Sequence, residues 1–316
     1  MEFAQSQTFD DTEILSHALR DTNVSAMQIN RGKFEATLTQ YRIGEWSFQH
    51  ISFGAGQTSC RGESPSHAAA FLIPLRSQPQ AKLLGTQATE NTIGIYGPNS
   101  EHADISCAGV SLMVVAIPKD TFKMELIGSR TLELDSVTKR LRRLLVSVQE
   151  TAENRPHALE KIAVRRCITD ELSRALSPTL LLHCTRGRTG RPELPRRAII
   201  QRIKEVLETN SGEPMFADEL SAAVGVSEPT LRRIFLDWYG LPPARYLLLR
   251  RYYLARARLR SGDAKTVGEA AGSCGFWDLS RFSGGYREIF GEPPSREISR
   301  LRLGNKVSSR ATPRCS

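Results

Sequence analysis

Two short stretches of this 316-residue chain gather arginine and hydroxyl side chains at helical spacing. The first offers Ser227, Glu228, Pro229, Thr230, Arg232 and Arg233; the second offers Leu279, Ser280, Arg281, Ser283 and Arg287. A guanidinium holds its donors in a planar fork that fits a phosphate or the O6 and N7 edge of guanine, and a hydroxyl both donates and accepts. Such side chains on one helix face suit recognition of a polyanion. They are equally common on a solvated helix, so the surrounding pattern has to decide.

That pattern is a duplication. ADELSAAVGVSEPTLRRIFLDWYGLPPARYL (217–247) is followed by VGEAAGSCGFWDLSRFSGGYREIFGEPPSREI (267–298). Glu219, Gly225 and Val226 align with Glu269, Gly275 and Phe276 at an offset of 50. Past the turn one extra residue enters, and Leu231, Phe235, Tyr239, Gly240 and Pro243 align with Phe282, Tyr286, Phe290, Gly291 and Pro294 at an offset of 51. The apolar and glycine skeleton repeats while the exposed set differs, as two similar scaffolds presenting different side chains would.

Each copy reads as helix, turn, helix. A short helix with Leu220, Ala223 and Val224 inward runs into Gly225, where a tight turn demands positive φ. Ser227 is a natural N-cap, with Pro229 in the first turn of the next helix. Leu231, Ile234, Phe235 and Trp238 then recur at i, i+3, i+4, i+7 as one buried stripe. In the second copy Asp278 is the expected cap and Phe282, Tyr286, Ile289 and Phe290 the stripe. One amphipathic helix could belong to any compact helical domain; two in register, each with Gly at the turn and Gly-x-x-Pro afterwards, tell against that.

Residues 197–299 resemble the C-terminal DNA-binding domain of AraC/XylS-type transcription regulators. The most specific match is the second copy, with Gly275, Phe276, Ser280, Phe282, Ser283, Tyr286, Arg287, Gly291 and Pro294 on the family's motif. The resemblance implies two helix-turn-helix units joined by a long helix, about 243–260, with recognition helices at about Glu228–Tyr239 and Asp278–Phe290 entering successive major grooves roughly 34 Å apart. Where the family usually has Arg, this chain has Gly284, followed by Gly285. A Gly within a helix costs roughly 1 kcal/mol against Ala, so the second unit is expected to bind less tightly.

Charge is distributed accordingly. From Arg186 to Ser316 there are 24 Lys and Arg against 14 Asp and Glu, leaving 19 against 20 in residues 1–185, so the net +9 comes from the C-terminal part. Lys and Arg contacts to phosphate supply most nonspecific affinity for DNA. Arg245, Arg250, Arg251, Arg256, Arg258 and Arg260 on the connecting helix could serve there, or be structural.

The N-terminal part is different. Residues 1–30 read as a helical or irregular lead-in, polar and acidic at the start and unlike a secretory signal. FEATLTQYRI, WSFQHISF, HAAAFLIPL, TIGIYGP and VSLMVVAIP then read as strands separated by turn clusters. They suggest a small sandwich or barrel, and the layout is similar to the cupin-like N-terminal domain of the same regulators. Metal-dependent cupins pair two His one residue apart on a strand; His50, His67 and His102 occur singly, so no metal, cofactor or catalytic residue is assigned. A binding pocket for a small-molecule effector is the expected use, with Trp46, Phe48, His50, Phe71 and Tyr96 as candidate lining and Arg42, Arg61 or Arg76 as partners for an acidic ligand. Aromatic residues on strands serve as plain core just as readily. Isolated cysteines such as Cys60 and Cys107 are small core residues more often than redox sensors.

Leu141, Leu144, Leu145 and Val148 form a helical stripe, and Leu159, Ile162, Ala163, Leu172 and Leu176 a second. The resemblance implies dimerisation through these helices; packing on their own barrel is the alternative. TRGRTGRPELPRR (185–197) reads as a basic linker.

The expected fold class is therefore α+β multidomain: a cupin-like β-barrel or sandwich plus helices, then an all-α tandem helix-turn-helix domain. The segments are a sensing domain at 1–130, a helical dimerisation region at 131–184, the linker at 185–197, the DNA-binding domain at 198–300 and a disordered tail at 301–316. The expected function is a cytoplasmic, effector-responsive transcription regulator, a homodimer on double-stranded DNA, contacting RNA polymerase if an activator and no membrane. A cupin-like enzyme targeted to DNA and a nonspecific DNA-binding protein are the alternatives.

Overall fold

The computed structural model describes residues 5–122, 126–186, 194–210 and 213–308. The chain divides into two compact units, most of the first lying before residue 194 and most of the second after it.

In the first unit β1 (Gln5–Phe9) and α1 (Thr12–Ala18) lead into β2 (Asn23–Gln28), β3 (Glu35–Ile43), β4 (Trp46–Ala55), β5 (Gln57–Glu63) and β6 (Ala68–Arg76). The short β7 (Lys82–Leu83) and β8 (Thr86–Gln87) precede β9 (Thr92–Tyr96), β10 (Glu101–Cys107), β11 (Ser111–Pro118) and β12 (Ser129–Glu133). One sheet has the order β1-β3-β4-β11-β6-β9-β12 and the other β2-β5-β10-β7-β8. Every strand expected from sequence lies in the seven-stranded sheet. The stretch read as a helical or irregular lead-in supplies α1 and, beyond that reading, β1 and β2.

The central strands are apolar on both faces because both are covered. On β4 Trp46 and Phe48 enter one core, and Ile51 and Phe53 the other. On β6 Phe71 and Ile73 go one way and Leu72 the other; on β11 Met113, Val115 and Ile117 oppose Leu112. α2 (Asp135–Asn154) and α3 (Ile162–Arg186) close over the first face. Leu141, Leu145, Val148, Leu172 and Leu176 are buried there, each contributing roughly 1.5–3 kcal/mol. These helices therefore pack on their own sheet. Of the second stripe Leu159 is buried there too, whereas Ile162, 62% exposed, and Ala163 are exposed.

The second unit consists of α4 (Leu194–Thr209), α5 (Ala217–Val224), α6 (Glu228–Trp238), α7 (Pro243–Ser261), α8 (Val267–Ser273), α9 (Leu279–Phe290) and α10 (Ser295–Ser308). α3 and α4 take in both ends of the expected linker, and 187–193 lies outside the described residues. α10 includes the first eight residues of the expected tail; 309–316 lies outside the described residues.

α7 holds this unit together. Tyr246 meets Phe235 of α6 edge-on at 5.5 Å, and Tyr252 stacks on Phe282 of α9 at 5.5 Å. Its Arg256 is buried, donates to Glu297 Oε1 at 2.9 Å and lies 4.3 Å over the Phe290 ring. Glu297 is 2% exposed and also pairs with Arg260 at 3.2 Å. Burial opposes ionisation of this carboxyl, but the hydrogen bonds and charges of Arg256 and Arg260 outweigh it and hold its pKa below the ordinary glutamate range.

A carboxyl whose pKa is depressed on folding stabilises the fold above its unfolded pKa, and that contribution is lost as pH falls through the folded value. Denaturant unfolding of the full chain between about pH 3 and 7 should show an acid limb below about pH 4.5. Glu297→Gln should flatten that limb and, by removing the countercharge that faces buried Arg256, cost about 3–5 kcal/mol near neutrality. An unchanged acid limb in the variant would assign the loss to other carboxylates.

Candidate nucleic-acid interface

The two copies repeat their backbone hydrogen bonds in the register of their residues. Gly225 N donates to Ala222 O at 3.2 Å and Val226 N to Ser221 O at 3.3 Å; Gly275 N donates to Gly272 O at 3.0 Å and Phe276 N to Ala271 O at 3.0 Å. Both glycines take positive φ, +74° and +73°, the left-handed region that a Cβ disfavours. After the turn, Leu231 N to Ser227 O and Phe282 N to Asp278 O, both 2.9 Å, show the offset of 51. The matched glutamates share a role too. Glu219 Oε2 accepts from Phe216 N and Glu269 Oε2 from Lys265 N, both at 2.9 Å, satisfying amides at the starts of α5 and α8.

α6 buries Leu231, Ile234 and Phe235, with Trp238 half-buried. Ser227, Glu228, Pro229, Arg232 and Arg233 are exposed and Thr230 half-buried, its hydroxyl 3.0 Å from that of Ser227. α9 buries Phe282, Tyr286 and Ile289. Asp278 Oδ1 accepts from Arg281 N at 2.9 Å as its cap. Leu279, Ser280, Arg281 and Arg287 are exposed, and Ser283 is half-buried.

The exposed faces differ in kind. Arg232 and Arg233 of α6 correspond to Ser283 and Gly284 of α9, whereas α9 carries Arg281 and Arg287 where α6 has Thr230 and Leu236. α6 sets two adjacent guanidiniums at mid-helix. α9 places its two near opposite ends and leaves the middle bare. Trp277, 91% exposed just before α9, is the one extra residue between the copies; sequence reading did not single it out, although the step in offset from 50 to 51 marks its place.

The α7 arginines sort themselves by partner. Arg250 Nη2 donates to Leu207 O and Asn210 O at 2.8 and 2.6 Å, capping the end of α4. Arg251 Nε donates to Cys274 O at 2.7 Å, its Nη2 to Gly275 O, and its guanidinium lies 4.3 Å from the Phe276 ring centroid. Arg256 and Arg260 hold Glu297, and Arg258 reaches Cys274 Sγ at 3.7 Å. Five of the six arginines expected as phosphate contacts thus have partners within the fold. Arg245 is half-buried.

The five candidate effector residues do not line one space. Trp46, Phe48 and Phe71 lie in the core shared with α2 and α3. His50 joins that side, its Nδ1 2.7 Å from Gln149 Nε2 and its Nε2 2.7 Å from Ser111 Oγ. An amide donor at Nδ1 leaves the proton on Nε2, and burial pushes the His50 pKa down against the opposing charge of Glu153. Tyr96 lies in the other core, its hydroxyl donating to buried Asp104 Oδ1 at 2.8 Å. His102 Nδ1 is 3.5 Å from Asp104 Oδ2, and Cys60 pairs with Asp104 across β5 and β10. Burial and Asp104 push the Cys60 thiol up to about 12, and burial raises Cys107, which leaves both protonated and poorly suited to redox sensing. Arg42, a candidate partner for an acidic ligand, is paired with Asp21 at 2.9 Å. Among the described residues no three His, Cys, Asp or Glu side chains group as metal ligands, and no helix is long and apolar enough to cross a membrane.

Residues 220–300 match the family described as a helix-turn-helix domain. The HTH-type transcriptional regulator GbdR of Pseudomonas aeruginosa is 33% identical over 144 residues, 43% of this chain and 39% of the relative. The HTH-type transcriptional regulator ArgR of the same species is 30% identical over 151 residues, 45% of each chain. The chain thus spans less than half the length of these relatives. A solved structure, a probable AraC family transcriptional regulator from Rhodopseudomonas palustris, is 32% identical over 32% of this chain and 95% of its own, with a TM-score of 0.29.

Gly284 and Gly285 have opposite reasons for being there. A Cβ at Gly284 would meet nothing within 4 Å, whereas one at Gly285 would run into the Tyr252 hydroxyl and come 2.8 Å from its Cζ. Gly284→Ala should therefore raise stability by up to about 1 kcal/mol. Gly285→Ala should lower it by about 1–3 kcal/mol. Equal effects of the two substitutions in thermal or urea unfolding would contradict this placement of α9 on α7.

Proposed function

We propose that this protein, whose C-terminal unit carries a helix-turn-helix domain of the AraC/XylS type, is a sequence-specific DNA-binding transcription regulator. The observation that carries the reading is the pair of exposed faces on α6 and α9, built in register on one helical unit with their apolar sides committed to α7. Arg232 and Arg233 are the base-reading candidates of the first unit, since a bidentate guanidinium on guanine is worth about 1–3 kcal/mol of discrimination. Ser227, Glu228, Pro229 and Thr230 flank them. Leu279, Ser280, Arg281, Ser283 and Arg287 form the second contact set.

The β unit is proposed to sense a small-molecule effector and to make the protein responsive rather than constitutive. Homodimerisation through α2 and α3, contact with RNA polymerase during activation, and a cytoplasmic location belong to the same proposal. The dimer reading is supported by exposed apolar side chains on those helices, Val146 at 40% and Ile162 at 62%.

Selection of bound sequences from random duplexes by the full chain, followed by titration at several salt concentrations, tests the reading. A defined site should emerge, and affinity for it should fall steeply with salt, the slope easing by about one for each phosphate-contacting arginine removed. Arg232→Ala or Arg233→Ala should weaken the selected site about tenfold or more and relax one position. Gly284→Arg, which restores a guanidinium to open space, should tighten it. Uniform binding to every duplex would instead make this a nonspecific DNA-coating protein.

A further inference from the structure

Trp277 is the most exposed large apolar side chain among the described residues, and beside it Leu279 is 49% exposed. Tryptophan in this chain is not exposed by default: Trp46 is 5% exposed and Trp238 half-buried. A Trp side chain offers roughly 150–250 Å² of surface, and Trp277 with Leu279 puts two exposed apolar side chains at the start of α9, the place a recognition helix presents to its ligand.

Both neighbours of Trp277 are committed, which fixes how it is presented. Phe276 packs against Tyr252 at 4.6 Å and Phe282 at 4.9 Å, with the Arg251 guanidinium 4.3 Å from its centroid. Asp278 is occupied as the cap of α9. The indole is thus held at the mouth of the second recognition helix, the end that meets base edges in a helix-turn-helix. First-turn neighbours Ser280 and Arg281 are exposed with it, while Gly284 leaves the middle of the same helix bare.

In the major groove one base-pair feature is apolar, the C5 methyl of thymine. The guanidiniums of Arg281 and Arg287 supply the positive charge that a duplex requires of its partner. We infer that Trp277, together with Leu279, is a specificity-determining contact of the second unit, reading thymine methyl groups in duplex DNA where the first unit reads through Arg232 and Arg233. This rests on the proposed function, and it assigns the one-residue insertion a purpose: the second unit exchanges a hydrogen-bonding readout for an apolar one.

The test uses the full chain and the duplex it selects from a random library, with single thymines replaced by deoxyuracil so that only a methyl is lost. For the wild type, replacement at one or two positions in one half of the site should weaken binding about fourfold, the worth of burying one such group. Trp277→Ala should bind more weakly, lose that sensitivity, and keep both its salt dependence and its preferences in the other half. Trp277→Phe should retain part of the sensitivity. Because the side chain is exposed, both variants should melt like the wild type. Equal methyl sensitivity in wild type and Trp277→Ala, or none in either, overturns the inference while leaving DNA binding intact. Unchanged DNA affinity and selection in Trp277→Ala likewise overturns it and directs attention to a protein partner for this ring. If the wild type selects no site at all, the regulatory reading fails first and the inference with it.

Discussion

The second unit depends on guanidiniums that have left solvent. Arg251 spends its donors on the carbonyls of Cys274, the cap of α8, and of Gly275 in the second turn, and Arg250 binds the carbonyls at the end of α4. A helix leaves its final carbonyls without partners inside the helix. Supplying those partners from one long helix ties the ends of α4 and α8 to α7. A buried charge is tolerated only when its hydrogen bonds are met and its countercharge is near, and Arg256 against Glu297 meets that condition. The cost of burying these groups is repaid in position: the end of α4 and the turn that aims α9 are both held on α7.

That division of labour explains why basic composition is a blunt guide. The excess of positive charge after residue 185 pointed to a polyanion, yet most of the α7 arginines neutralise carbonyls and Glu297 within the protein. Under the proposed function, cation supply to DNA falls instead to Arg232, Arg233, Arg281 and Arg287, which are exposed on α6 and α9. The two faces are unequal, one concentrating its guanidiniums and the other spreading them around a bare centre. A site read by this unit is accordingly expected to be asymmetric, its halves recognised by different chemistry.

What could be seen beforehand follows from which signals are local. The tandem unit was legible because its skeleton is periodic and doubled, so Gly225 and Gly275, Leu231 and Phe282 checked one another. Strands apolar on both faces, such as β6 and β11, were also plain. β5 and β10 were not, because their buried positions include Thr58, Ser59, Asp104 and Ser106, polar residues that break the apolar alternation a strand is read by. The effector candidates failed to converge for a related reason: adjacent residues on a strand face opposite layers, and Tyr96 lies on the layer away from Phe71 and Trp46. The structural arginines carried a usable hint, since Arg251 lies four residues from both Leu247 and Ala255 on the buried side of α7. Gly285 carried none, because the hydroxyl that excludes a Cβ there belongs to Tyr252, a residue 33 positions earlier.

The central claim is that α6 and α9 engage one duplex together. Hydroxyl-radical footprinting of the full chain on its selected site measures this most directly. Two protected patches on one face of the DNA, about one helical turn of 10–10.5 base pairs apart, are the predicted result; a single patch, or protection on opposite faces, would contradict it.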